Sequence, residues 1–271
     1  MSYPGMNALT IAPPAPPVPV DTAAPPVPMT RLVRVELRKL VDTRAGFWLV
    51  VSMGLIAAVI TGAMLVFADA EDLSYATFFG MMNIPTGVLL PVLAILLVTS
   101  EWSQRTGLVT FTLEPRRSRV ITAKLLTSLV AAAGAILVSF VLGAVGTVLA
   151  GLLRDGGGSW NLSATEVGYA SMGQLIALLQ GFGFGMLIMS SAAAIVLIFA
   201  LPSAWAIVGS VVPWLHDHVQ PWADLQFALG PYQGGGGVDG SSWAHLGSAV
   251  AIWVVLPLAG GLWRLLRSEI K

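Results

Sequence analysis

The chain of 271 residues contains no cysteine, which excludes disulfides, iron–sulfur clusters and thiol chemistry. It is also poor in charge. Charged residues make up 10% of it, against about 25% in an average globular chain. Hydrophobic residues make up 56%, and the mean hydropathy is +0.80. So few charges cannot cover a folded surface in water, and lipid is the expected solvent. The net charge of zero points to neither nucleic acid nor an acidic partner. Lysine occurs only at Lys39, Lys124 and Lys271. None follows a glycine-rich loop, and the phosphate-binding pattern Gly-x-x-x-x-Gly-Lys-[Ser/Thr] is missing. If ATP drives this protein, another chain binds it.

What the chain has instead is long runs without Asp, Glu, Lys or Arg: Ala45–Ala68, Leu73–Ser100, Leu125–Leu153, Val167–His216 and Gly240–Trp263. A crossing needs about 20 apolar residues, so the fourth run is too long for one span at about 1.5 Å per residue. It is expected to fold back at Ser190-Ser191. Six spans follow, at 46–67, 76–100, 121–153, 169–190, 192–213 and 246–263. With the N-terminus in the cytoplasm, 13 of the 14 basic residues fall inside and only Arg154 falls outside. Asp69, Glu71, Asp72, Asp155, Glu166, Asp217, Asp224 and Asp239 fall outside. This is the positive-inside pattern, and it puts both termini in the cytoplasm.

Nine of the 17 prolines lie in residues 1–28, a stretch that reads as a disordered cytoplasmic tail and not as a signal peptide. Residues 31–44 read as an amphipathic helix with Thr30 as N-cap. Val33, Leu37, Leu40 and Val41 share one face, and Arg31, Arg38, Lys39 and Asp42 lie away from it. Such a helix lies flat on the membrane, with Arg31, Arg34, Arg38 and Lys39 near anionic headgroups. Residues 101–119 form the one sizeable internal cytoplasmic loop. It is charged at both ends and apolar at Leu108, Val109, Phe111 and Leu113, a surface suited to a groove on a soluble partner. On the outer side, residues 214–245 form an insert with Trp214, Trp222 and Trp243 at the membrane surface.

Other chemistry is thinly represented. His216-Asp217-His218 with Asp224 matches no strong metal-site spacing, and Ser241-Ser242 with His245 lacks a nucleophile elbow. Asn161-Leu162-Ser163 is a glycosylation sequon that matters only in a eukaryotic host. No Asp, Glu, Lys or Arg sits deep in a span, which disfavours an ion-coupled carrier. Gly181 and Gly185 form a Gly-x-x-x-Gly pair that offers a helix contact, within the bundle or between two copies. Pro85, Pro91, Pro202 and Pro257 fall inside spans and are expected to kink them.

Taken together these features resemble the ABC type-2 permeases, six-span exporter subunits that begin with an interfacial elbow helix. The family's loop between the second and third spans runs Glu, Gly-Thr, Pro-x-x-x-Arg and then a lysine entering the third span. Glu101, Thr106, Pro115, Arg119 and Lys124 match it. Arg105 stands where the family usually has glycine, with Gly107 following the threonine instead. The resemblance covers residues 30–268. It implies an all-α integral membrane protein of the type V ABC exporter kind, with six transmembrane helices and an elbow helix, built from a tail at 1–28 and a permease domain at 29–271. It also implies a place in a bacterial inner membrane, a second permease copy (the same chain or a homologue), and two ABC ATPase subunits. ATP and magnesium would bind in those subunits, with no cofactor or metal in this chain and no catalytic residue. Glu101, Trp102, Arg105, Thr106, Gly107, Pro115, Arg116, Arg117 and Arg119 would then couple to the ATPase. The charge-free spans suit a drug, lipid or peptide as cargo. A stand-alone secondary transporter or channel is the alternative reading. An intramembrane enzyme lacks a nucleophile–base pair, and a membrane scaffold would leave the loop's apolar centre without a purpose.

Overall fold

A computed structural model describes residues 27–103, 114, 116–233 and 237–267. The proline-rich residues 1–26 lie outside it. Among the described residues every regular element is helical. Six helices are long and apolar enough to cross a membrane: Gly46–Phe67, Tyr75–Trp102, Arg117–Leu153, Ala164–Ile188, Ser191–Val211 and Gly240–Arg267. The chain is a multi-pass membrane protein.

An amphipathic helix, α1, runs Met29–Asp42 and leads through Thr43 into α2, Arg44–Phe67. Thr30 is not the N-cap. Pro28 holds that position and makes no side-chain cap bond. Its ring offers no acceptor, and its backbone carbonyl accepts the Arg31 and Leu32 N–H groups at 3.0 and 3.2 Å. Thr43 is the residue that caps, its hydroxyl accepting the Gly46 N–H at 3.2 Å. Arg44 therefore opens the first span instead of closing the amphipathic helix.

The bundle is built around α3, Tyr75–Ser103, which packs between α4, Arg117–Leu153, and α5, Ala164–Ile188. At 37 residues, α4 is about 55 Å long and exceeds the hydrocarbon layer of roughly 30 Å. Its first turns project beyond the layer, where α1 packs on them. The fold-back between α5 and α6, Ser191–Val211, falls where the small polar pair predicts it. Met189 takes the left-handed conformation at φ 57° and ends α5 at Ile188. The six-residue α7 (Pro213–His218), the four-residue α8 (Gln220–Ala223) and α9 (Leu225–Gln233) form a cap at the opposite end of the bundle from α1. The last helix, α10, begins at Gly240, earlier than the apolar count predicts. Asp239 caps it by accepting the Ser242 N–H at 2.8 Å.

Proline leaves its mark once within α10. Pro257 has no N–H, and the turn before it, Ala251–Val255, widens so that the Leu256 N–H reaches the Ala251 carbonyl. A wide turn of this kind absorbs a backbone group that proline cannot satisfy. Pro85 and Pro91 lie inside α3 and Pro202 inside α6, with each helix continuing past its prolines.

Gly181 and Gly185 do not face outward to a second copy. A Cβ on Gly181 would sit 2.6 Å from the Pro91 Cα, and one on Gly185 would sit 3.2 Å from the Ile95 Cα. The pair lets α3 of the same chain approach α5 closely. Gly183 and Gly261 do the same on the other side of α5, against Leu258 and Met186. The helices left on the outside are α2 and α6, with only 12% and 17% of their most apolar windows buried.

Arg154, the one basic residue that breaks the charge asymmetry, has a structural task. Its guanidinium donates to the Leu65 carbonyl at 2.6 Å and to the Ala68 carbonyl at 3.1 Å. It thereby satisfies and neutralises the C-terminal end of α2.

Candidate functional site

A cluster of buried, ion-paired charge lies at the α1 end of the bundle. Glu36 on α1, Glu101 at the end of α3 and Lys124 near the start of α4 are 5%, 2% and 4% exposed. Carboxylates and ammoniums are almost never so buried unless paired, and these are. Lys124 Nζ lies 2.8 Å from Glu36 Oε2 and 2.7 Å from Glu101 Oε2. It also donates to the Leu97 carbonyl at 2.8 Å and to Ser100 Oγ at 3.1 Å. Lys39 closes the ring, 2.7 Å from Glu36 Oε1 and 3.1 Å from Glu101 Oε1. Two carboxylates and two ammoniums make a neutral knot in which each acid bridges both lysines.

Local sequence explains the arrangement. On α1 the inward face is Leu32, Val33, Glu36, Leu37 and Leu40, so Glu36 interrupts an apolar stripe. On α3, Leu97 and Glu101 are one turn apart, which places a carbonyl and a carboxylate together for one ammonium. Apolar side chains, among them Val98, Trp102, Val120, Phe182 and Leu265, wall the other side of Glu101 and Lys124. With water excluded from Glu36, Glu101 and Lys124, the attraction among those three is little screened, while Lys39 closes the ring from its solvent-exposed side. Burial alone would lower the Lys39 pKa, but the Glu36 hydrogen bond and the charges of Glu101 and Glu36 hold it above its usual value.

The knot corrects one expectation directly. Lys39, expected at the lipid headgroups, pairs with Glu36 and Glu101 and keeps 36% of its side chain exposed. Arg31, Arg34 and Arg38 stay exposed. Glu101, expected at a docking surface, is turned into the bundle. Trp102 packs against the core cluster of Leu90, Val98, Phe182 and Leu265. Arg117 donates to the Leu265 carbonyl at 2.8 Å, tying α4 to α10. Arg119 lies 3.3 Å from Glu114 Oε2 and donates to the Val27 carbonyl, fastening the entry of α1 to α4. Arg116 remains exposed, its backbone N–H 3.4 Å from Glu114 Oε1. Arg105, Thr106, Gly107 and Pro115 lie outside the described residues.

Glu36 and Lys124 were missed as partners. The signal for Glu36 is available in the sequence, since it sits between Val33 and Leu40 on the apolar face. A carboxylate there requires a buried cation.

A second polar group is uncharged and lies within the spans. Gln174 of α5, 4% exposed, donates to Asn83 Oδ1 at 2.9 Å and to Thr86 Oγ1 on α3. Such bonds hold helices together in lipid. In the cap, His216 Nδ1 meets Gln220 Oε1 at 2.8 Å and His218 Nδ1 meets the Trp214 carbonyl at 3.1 Å. The hydroxyls of Ser241 and Ser242 both donate to Asp239 Oδ1. These serines serve the start of α10, and the histidines serve the short helices before it. Among the described residues no group of three or more His, Asp or Glu could hold a metal ion. Compared with known proteins, no family model matches this sequence and no curated relative matches it.

Proposed function

We propose that this chain is the membrane-spanning subunit of an ATP-driven exporter of the ABC type-2 permease kind. Two copies, or one copy and a homologue, would form the pathway in a bacterial inner membrane. Two separate ATPase subunits would bind ATP and magnesium. The observation that carries the reading is the knot. It fastens the amphipathic helix to both helices that flank residues 104–116, so a push on that segment would reach α1, α3 and α4 together. Arg117 and Arg119 extend the same connection to α10 and to the entry of α1. In this reading Arg116 is positioned to meet the ATPase, while Glu101 and Lys124 transmit and do not touch it. Cargo would be amphiphilic or hydrophobic, because the spans offer the uncharged Asn83, Thr86 and Gln174 and no deep charge.

Transport assays in vesicles with a co-purified Walker-A ATPase test this. The variants Arg116→Ala and Arg119→Ala are expected to lower transport and transport-linked ATP hydrolysis together by tenfold or more, with the protein still folded. Transport driven by an ion gradient without any ATPase would overturn the reading.

The orientation is tested separately, and the cysteine-free chain makes it simple. Cysteines introduced at Gln104 and Val238 are expected to react with impermeant maleimide from opposite sides of intact cells, Val238→Cys from outside only. Reaction of both from the same side would sink the six-span topology with an internal N-terminus.

A further inference from the structure

The outward face of α1 is left with unmatched positive charge. At about 100° per residue, Arg31, Arg34 and Arg38 fall within a sector of roughly 60°, nearly opposite Glu36. One face of the helix therefore carries the acid of the buried knot, and the other carries three guanidiniums. All three are exposed, and among the described residues none is in an ion pair. They line a shallow groove with Pro28, Thr30 and Val35. Asp42 falls about 20° outside this sector, at the last residue of the helix, and does not line the groove, so the three guanidiniums give the groove a charge of +3.

The height of this groove is fixed by the chain. Only Thr43 separates α1 from α2, the first span. Phe47 and Trp48, 57% and 64% exposed, stand at the start of that span with their rings 5.8 Å apart. Exposed aromatic residues at the end of a span mark the headgroup level. The arginines on the adjoining helix lie at the same level, and Val35 among them is 48% exposed, an apolar contact for the upper part of an acyl chain. Arg119 bonds the Val27 carbonyl and the knot clamps Glu36, so the groove is held rigidly instead of being draped on the surface.

We infer that this groove is a binding site for an anionic membrane lipid with two phosphates in its headgroup. Planar guanidiniums bind phosphate oxygens in pairs, and three of them in one groove with no acidic residue match two phosphodiesters better than one. The site rests on α1 lying at the bilayer surface and needs no ATPase, so it stands or falls apart from the transport reading.

The experiment uses the full-length chain in neutral phosphatidylcholine nanodiscs, doped with cardiolipin or with phosphatidylglycerol at equal total charge. Lipid retained after extraction is measured by native mass spectrometry. Cardiolipin is expected to be retained at least tenfold over phosphatidylglycerol. The variant Arg31→Gln/Arg34→Gln/Arg38→Gln is expected to lose on the order of 100-fold in cardiolipin affinity, at about fivefold per arginine. The exposed Arg116→Gln is expected to lose less than twofold. Melting of the triple variant should match the parent, since no described bond is removed. Equal retention of the two lipids, an unaffected triple variant, or displacement of cardiolipin by millimolar pyrophosphate would each overturn the site. So would a triple variant that keeps its lipid but no longer binds an acidic protein partner.

Discussion

Replacement of Lys124 by methionine is expected to destabilise the folded protein by about 3–5 kcal/mol, the cost of removing one partner from a buried ion pair. The reasoning is a charge count. The knot is neutral with Glu36, Glu101, Lys39 and Lys124 all ionised. Without Lys124, two carboxylates that are 5% and 2% exposed share the one remaining ammonium. One negative charge is then buried without a partner, and the Leu97 carbonyl loses the ammonium while keeping the Ser100 hydroxyl at 2.8 Å. Lys39 cannot compensate fully, because its side chain is 36% exposed where that of Lys124 is 5% exposed. Lys39→Met leaves the same two carboxylates on one ammonium, but water reaches the place Lys39 vacates, so it is expected to cost less than Lys124→Met, about 1–3 kcal/mol. The double variant Glu101→Gln/Lys124→Met restores neutrality, leaving Glu36 with Lys39, and is expected to regain at least half of the loss. Unfolding in mixed micelles, followed by tryptophan fluorescence, measures all three variants. A Lys124→Met protein as stable as its parent would show that the four groups do not form a buried neutral assembly. The contrast between single and double variants matters more than either value. A knot that served only to fill space would respond to volume and not to net charge.

How far the sequence reaches is visible in the same residues. The span count was legible because charge-free runs of about 20 residues have few alternatives in a chain this apolar. The need for a fold-back followed from the length of the run, and its place from the small polar pair Ser190-Ser191. The amphipathic helix was legible from its stripe, but the fate of its charges was not. Lys39 and Arg38 are neighbours in sequence and alike in charge, yet one turns into a buried ring and the other stays on the surface. What separates them is the position of Glu101, 62 residues away, and no local pattern carries that distance. The start of α10 was placed too late for a different reason. Asp239 and Ser242 form a reciprocal cap, and capping chemistry overrides the low apolarity of the turn that follows it. The residues expected to meet a partner read as a charged segment with an apolar centre, and that centre, Leu108, Val109, Phe111 and Leu113, lies outside the described residues. Which of them point outward depends on tertiary contacts such as those of Arg117 with Leu265 and Arg119 with Glu114.

The Gly-x-x-x-Gly pair gives the second large effect, and it separates two uses of the same motif. Gly181→Ala is expected to cost about 3 kcal/mol, the upper end of the overpacking range. The added methyl would stand 2.6 Å from the Pro91 Cα and 2.8 Å from its carbonyl carbon. Those are backbone atoms, so no rotamer change can make room, and α3 must move away from α5. That movement would also strain the bonds from Gln174 to Asn83 and Thr86, which join the same two helices. Gly54→Ala and Gly62→Ala on α2 supply the comparison. A Cβ at either position meets nothing within 4 Å, and alanine is favoured over glycine in a helix by up to about 1 kcal/mol. Both should therefore leave stability unchanged or raise it slightly. The same residue change thus has opposite signs on two helices, decided by what lies opposite. If Gly181 served contact between two copies, its alanine variant would shift the oligomer in crosslinking while the separated protomer melted normally. With α3 of the same chain in that place, the protomer itself loses stability, and a Gly181→Ala protein that unfolds with its parent would refute the close approach of α3 and α5.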